Sequence, residues 1–400
     1  MPGQGYKKNL IFYFSLIGFF GIFSSTMAKN PVLPLFVRGM GGTPEIIGII
    51  SAISPLAGIL FSFPVGIISD RIGKRKIMLL SGGVFLTAPL LYVLVSDPWY
   101  LVPVRFFHGL ATAILGPVAA AAIAEAYDRD KGEKLGTYSS ATLVGRAISP
   151  IVGGALISYF MYMGGLFPYK SVYIVSFLLS VPAFILCFFI RDPGGRMSAE
   201  RPAGHDFHDG VKYFFGEPRL VSTALVDMAT YFAFGAFETY LPVYLADNGF
   251  SAGLIGVIFS MQILAVAVTK PLFGRVADRI DKRFQIAAGL LVIGIAMLCL
   301  TLTVNKAFVV SVSLLFGLGM SFSTVATSAY TGDIADKAKL GTSMGALSSV
   351  MDIGHSSGPL VTGFVITWFS MRAGFIASFL LCSAVALVFV LFTAVRKPGT

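Results

Sequence analysis

Charge is scarce in this 400-residue sequence: Asp, Glu, Lys and Arg make up 12% of it, against 56% hydrophobic residues and a mean hydropathy of +0.81. Soluble domains keep about a quarter of their residues charged, so an aqueous fold is excluded and a lipid bilayer is the expected solvent. Cysteine is scarcer still. Cys187, Cys299 and Cys382 stand far apart, each inside an apolar stretch, which excludes a CxxC redox or metal pair and leaves them as packing residues. There is also no Walker loop, no HExxH pair and no strand-to-helix turn that would make a nucleophile elbow of the Gly-x-Ser-x-Gly matches at 249–253, 341–345 and 354–358. Without a phosphate cradle, a metal-ligand pair or a nucleophile elbow, neither an enzyme nor a metal or organic cofactor is expected.

What the sequence has is a succession of apolar runs. A helix needs about 20 residues at 1.5 Å each to cross a ~30 Å hydrocarbon core. Twelve such spans are expected, at 9–37, 45–69, 76–95, 99–127, 136–160, 171–190, 219–245, 252–277, 284–304, 307–335, 341–369 and 373–395. The first continues too far beyond Lys7 and Lys8, and lacks the small-residue cleavage site of a signal peptide, so it is expected to stay attached. Pro34, Pro64, Pro117, Pro150, Pro242, Pro271 and Pro359 fall inside spans, where a missing N–H and a ring clash favour kinks.

A net charge of +10 raises the question of nucleic acid, but the placement of the charge answers it. Of 30 basic residues, Arg38, Lys170, Lys306 and Arg372 lie in one set of loops and Lys29, Arg105, Arg146 and Lys270 lie deep in spans; the rest gather at the termini and the other loops. That asymmetry is the positive-inside pattern. Both termini and the polar stretch 191–218 are therefore expected in the cytoplasm of a cell inner membrane. The expected organisation is a bundle over 1–190, a linker over 191–218 and a second bundle over 219–400.

The two bundles repeat one another. A shift of 208 residues places Pro34 on Pro242, Gly48 on Gly256, Gly66 on Gly274, Asp70 on Asp278, Arg71 on Arg279, Lys74 on Lys282 and Arg75 on Arg283, with no gap. The same shift places Gly109 on Gly317 and Glu125 on Asp333, and a shift of 209 places Gly145, Pro150 and Gly154 on Gly354, Pro359 and Gly363. Two six-helix units in the same orientation are related by an axis along the membrane normal, with a solute site expected at their seam.

Three stretches carry motifs. Residues 66–76 read GIISDRIGKRK, and their second copy at 274–284 reads GRVADRIDKRF. Residues 104–113 read VRFFHGLATA, and the fifth span spaces Gly136, Gly145, Ser149, Pro150, Gly153 and Gly154 as small residues do where helices approach closely. Together these resemble the major facilitator superfamily over almost the whole chain, and the fifth-span pattern resembles the drug:proton antiporter branch. The resemblance implies an all-α fold of two pseudo-symmetric bundles. It implies gating roles for Gly66, Asp70, Arg71, Gly73, Arg75 and Glu125, and for Asp278, Arg279 and Asp333, the loop charges docking on helix ends across the seam. Gly145, Pro150, Gly154, Gly354 and Pro359 would bend or closely pack their helices. A plainer reading makes the loop charges topology markers alone.

Ionisable residues inside a membrane are costly and usually face a cavity or a partner. The candidates for substrate binding or proton coupling are Lys29, Asn30, Arg105, His108 and Arg146 in the first half, and Asp227, Glu238, Gln262, Asp352 and His355 in the second. Asp227 and Glu238 lie about three helical turns apart on one side. A carboxyl removed from water holds a proton more readily, so Glu238 and Asp352 lead as proton carriers, with His355 three residues from Asp352 to tune it. The alternative keeps these acids as permanent ion pairs with Lys29, Arg105, Arg146 or Lys270. The expected function is a monomeric secondary transporter, driven by a proton gradient, that exports amphipathic small molecules or drugs by alternating access; the alternative is a proton symporter importing an organic anion or zwitterion.

Overall fold

Lipid offers the backbone no hydrogen-bond partners, so each apolar run must satisfy its N–H and C=O groups within itself, which a helix does. The computed structural model describes residues 4–127, 130–190 and 212–394, apart from the side chains at 4–8, 63, 66, 67, 70, 71, 338 and 394. Among the described residues there is no strand. The long helices of the first half are α1 (Gln4–Met27), α2 (Val32–Gly39), α3 (Pro44–Ile72), α4 (Lys74–Leu94), α5 (Leu101–Ala126), α6 (Lys131–Phe160) and α7 (Phe167–Cys187). Those of the second are α8 (Pro218–Asp247), α9 (Ala252–Ala277), α10 (Lys282–Cys299), α11 (Lys306–Ile334), α12 (Leu340–Trp368) and α13 (Met371–Ala394). Within the expected linker, residues 191–211 lie outside the description.

With α1 and α2 taken as one span, 11 stretches among the described residues are long and apolar enough to cross a bilayer. The remaining expected span, 341–369, is α12; it has the length, at 29 residues, but it carries a run of Gly and Ser with Asp352 and His355 where its neighbours carry aliphatics. The first span is not one kinked helix. It breaks at residues 28–31, three residues before the expected kink at Pro34. Pro31 has no N–H to continue the ladder, and the chain restarts from it as α2. Lys29 and Asn30 sit on this break.

The chain divides into two compact units, Met1–Ser198 with Leu245–Ser260, and Ala199–Tyr244 with Met261–Thr400. The internal repeat reappears inside them as matching helix contacts. A methyl on Gly109 of α5 would sit 2.9 Å from the Ser54 carbonyl of α3, and one on Gly317 of α11 would sit 2.9 Å from the Gln262 carbonyl of α9. Gly145 of α6 faces the Phe19 carbonyl of α1, while Gly354 of α12 faces that of Met228 in α8. Each of these pairs keeps the register of the sequence repeat. The repeat also has a difference: where Gly358 abuts the Phe232 carbonyl, its counterpart Ser149 donates its hydroxyl to the Phe23 carbonyl at 3.1 Å.

The hairpin 245–260 joins the first unit because small residues let it approach α6. Gly256 lies against the Pro150 carbonyl and Gly154 against that of Ala252. The Gly253 N–H reaches Ser158 Oγ at 2.8 Å, and Arg38 pairs with Asp247 at 2.7 Å.

Candidate functional site

In the second unit, α8 presents Asp227, Tyr231, Phe234 and Glu238 at spacings of four, three and four residues, which places them along one side of the helix. On α12, Met344, Leu347, Met351 and His355 follow the same rule. These two helices approach closely because Gly354 and Gly358 leave no side chain between them, and the approach brings the polar groups together. His355 Nε2 lies 2.6 Å from Glu238 Oε1, with Glu238 only 3% exposed. The rings of Phe234 and Tyr231 pack on the imidazole at 5.4 and 6.3 Å. At this distance the imidazole and the carboxyl group are hydrogen-bonded to one another. The sequence suggested that His355 serves Asp352, its neighbour on α12; the fold also gives it Glu238 from another helix.

About three turns away on α8, Asp227 is buried and accepts a hydrogen bond from Thr327 Oγ1 of α11 at 2.7 Å. Asp227 and Tyr231 border a cavity of about 300 Å³, and Lys270 of α9 borders it too, close enough to act electrostatically on the Asp227 carboxylate. Met344, Leu347 and Met351 of α12 supply an apolar wall. Gln262 is buried elsewhere on α9, its Oε1 without a hydrogen bond. Two groups here escaped sequence reasoning, whereas Lys270 had been read there as an ion-pair partner for the acids. Tyr231 was legible from its place between Asp227 and Glu238. Thr327 was not, since nothing marks a threonine 100 residues from its partner.

In the first unit, Arg105 and His108 of α5 are buried, at 2% and 1% exposure. His108 Nδ1 lies 3.3 Å from the Tyr92 hydroxyl, and Tyr92 stacks on Tyr173 with ring centres 4.5 Å apart. Arg105 hydrogen-bonds Tyr92, but its Nε and Nη2 have no partner, nor do His108 Nε2 and the Tyr173 hydroxyl. Arg146 stands apart from this cluster, on an exposed face of α6.

The two copies of the loop motif build matching ion pairs inside their own units: Lys74 with Glu125, and Lys282 with Asp333, the latter at 2.9 Å. Gly73 ends α3 at φ +98°, a conformation closed to other residues. Asp281 replaces it in the second copy by different means, capping α10 through the Arg283 N–H at 2.9 Å, with φ −61°. Arg75 donates to the Phe188 carbonyl at 3.4 Å, and Asp278 and Arg279 are exposed in the turn after α9. The expected gating side chains at Gly66, Asp70 and Arg71 lie outside the described residues. Among the described residues, no cluster of His, Cys, Asp or Glu is arranged to hold a metal ion.

A helical bundle with a repeated half, apolar spans and a buried carboxylate bordering a cavity among its helices has the build of an integral membrane carrier. The family model described as Major Facilitator Superfamily matches residues 14–254 and 223–400, and the chain belongs to that superfamily. It is a transporter and not an enzyme. It is 24% identical to an uncharacterized MFS-type transporter of Methanocaldococcus jannaschii, over 84% of this chain and 86% of the relative. It is 24% identical to the multi-drug resistance efflux pump PmrA of Streptococcus pneumoniae over 93% and 94% of the two chains, and 28% identical to the multidrug resistance protein MdtG of Enterobacter lignolyticus over 98% and 94%. Among solved structures, it superimposes on a bacterial homolog of the human lysosomal transporter Spinster with a TM-score of 0.84 at 15% identity, covering 99% of this chain and all of that one. The nucleoside transporter NupG gives 0.82 at 11% identity, over 97% of this chain and all of that one.

Proposed function

We propose that this protein exports amphipathic small molecules across a cell membrane by alternating access, driven by protons moving the opposite way. The observation that carries the reading is the Glu238–His355 contact of 2.6 Å, a buried proton-holding pair set on the same side of α8 and α12 as the solute cavity. Tyr231 links them, since it borders the cavity and packs on His355. A solute that displaces Tyr231 shifts the imidazole and with it the hold on the proton. The efflux activity named for the PmrA and MdtG relatives supports the direction. The termini lie in the cytoplasm, the protein works as a monomer, and the proton gradient is its only energy source.

Import of an organic anion with protons is favoured by one observation, the buried Arg105 with unpartnered donors in the first unit. One experiment separates the two. The protein is reconstituted in vesicles with a pH-sensitive dye inside, a proton gradient is imposed, and amphipathic cations, zwitterions and anions are added. Wild type is expected to move protons against the solute, and Glu238→Gln is expected to abolish solute-dependent proton flux while Asp352→Asn tests the second carboxyl. Flux of both in the same direction would establish symport; solute movement without proton flux would end the coupling proposal.

A further inference from the structure

In the first unit, the unpartnered atoms around Arg105 are all able to donate a hydrogen bond. Arg105 donates to the Tyr92 oxygen, so Tyr92 turns its own proton toward His108 Nδ1, 3.3 Å away. An imidazole that accepts at Nδ1 carries its proton on Nε2, a tautomer assigned here from the order of the hydrogen bonds. That leaves Nε2–H of His108, the Tyr173 hydroxyl, and Nε–H and Nη2–H of Arg105 without partners. The two Arg105 groups form one edge of the planar guanidinium, a fork of parallel N–H bonds shaped for an anion. Arg105 is close enough to act electrostatically on His108 and on Tyr173, and aromatic rings close the cluster in. Tyr92 and Tyr173 stack, Phe36 of α2 packs on Tyr173 at 5.4 Å, and Phe85 meets the His108 ring edge-on at 6.2 Å.

We infer that α4, α5 and α7 hold a small monovalent anion, of the size of chloride or nitrate, on the Nε–Nη2 edge of Arg105, with Tyr173 and His108 as further donors. Charge argues for it as much as geometry does. A buried cation needs a counter-charge, and among the described residues Arg105 makes no ion pair with a carboxylate. On α4, α5 and α7 the one carboxyl is that of Glu125, about 30 Å further along α5 at 1.5 Å per residue and already paired with Lys74. A water molecule would bring one oxygen, two protons in need of acceptors and no charge. An anion brings acceptors alone and the missing charge. Enclosure sets its size, since none of Arg105, His108, Tyr92 and Tyr173 is more than 2% exposed. The site belongs to the first unit and does not depend on which solute the second-unit cavity takes or which way that solute moves.

Melting of the purified full-length protein tests this, because a ligand that binds only the folded state stabilises it in a saturable way. The buffer begins as sodium gluconate, whose anion is too bulky for the cluster, and is exchanged for chloride, bromide or nitrate at constant ionic strength. Wild type is expected to show a saturating rise in melting temperature with each of the three. Arg105→Met is expected to lose the rise, while Arg146→Gln, which removes an exposed arginine of the same unit, is expected to keep it. Tyr173→Phe removes one donor and no charge. It is expected to raise the half-saturating concentration about tenfold, the size of one hydrogen bond to a charged group, and it keeps the test open if Arg105→Met does not fold. Crystals grown in bromide are expected to give an anomalous peak in contact with Arg105 Nε and Nη2. Melting of wild type that ignores the anion would overturn the inference. So would a rise retained in Arg105→Met, an unshifted half-saturation in Tyr173→Phe, or bromide absent from Arg105. Melting is read without solute or gradient, so its outcome and that of the proton-flux assay are judged separately.

Discussion

Arg105 is a buried cation whose lost hydration is only partly compensated. A guanidinium that is 2% exposed, with Nε and Nη2 unpartnered, has given up hydration without full compensation. Replacing buried ionic groups by apolar ones of similar volume is often neutral or stabilising, by about 1–4 kcal/mol for whole ion pairs. Arg105→Met is therefore expected to keep or raise the melting temperature of the purified protein and to lower transport in the vesicle assay. A clear fall in melting temperature would make Arg105 structural. Gly73 and Asp281 occupy equivalent positions and solve the same turn differently. At φ +98°, a side chain costs about 1–3 kcal/mol, so Gly73→Ala is expected to lower stability by that amount. Asp281→Ala loses a helix cap, worth about 1 kcal/mol. The Arg283 side chain, bonded to the Asp281 carboxylate, holds its pKa below the ordinary value. Its contribution is thus present above the ordinary carboxylate pKa and is lost as pH falls through the depressed one, so melting of wild type and Asp281→Ala should converge only in acid.

At the scale of the helix, the small-residue pattern of α6 and α12 mixes two kinds of glycine that look alike in sequence. A methyl at Gly354 would overlap the Met228 carbonyl, whereas Gly345, nine residues earlier on the same helix, has nothing within 4 Å of where a methyl would stand. Gly354→Ala is expected to force α8 and α12 apart at a cost of about 1–3 kcal/mol and to loosen the Glu238–His355 contact with them. Gly345→Ala is expected to be neutral or stabilising by up to about 1 kcal/mol, the helix propensity gained. Thermal melts of the two variants in the same detergent check both. The positions of the spans were legible from composition. The break in the first span was displaced from its expected place, because Pro34 as the third residue of α2 has no helical bond to lose, while Pro31 has a preceding helix to stop.

For the whole molecule, the placement of basic residues predicts topology. A fluorescent reporter that folds only in the cytoplasm is expected to shine when inserted in 191–218 or fused after the last helix, and to stay dark when inserted at 40–43 or 301–305. Light from the second pair would reverse the orientation. The repeat carries into the ion pairs as well: Lys74–Glu125 and Lys282–Asp333 are the same pair built twice, one in each unit. The sequence had assigned Glu125 and Asp333 to gating by resemblance, and the fold shows the local partner that each holds.

The sequence by itself determined the solvent, the helical class, the twofold repeat and the shortlist of costly buried charges, because hydropathy, spacing and the expense of ions in lipid are properties of residues and short segments. Tertiary structure decided the partnerships. His355 faces Glu238 as well as its own helix, Thr327 donates to Asp227, and Lys270 shares a cavity with that carboxylate while Arg146 stays on an open face. Such pairings depend on which sides of separate helices meet and how closely, and that is fixed by packing between residues far apart in the sequence, which no local pattern encodes.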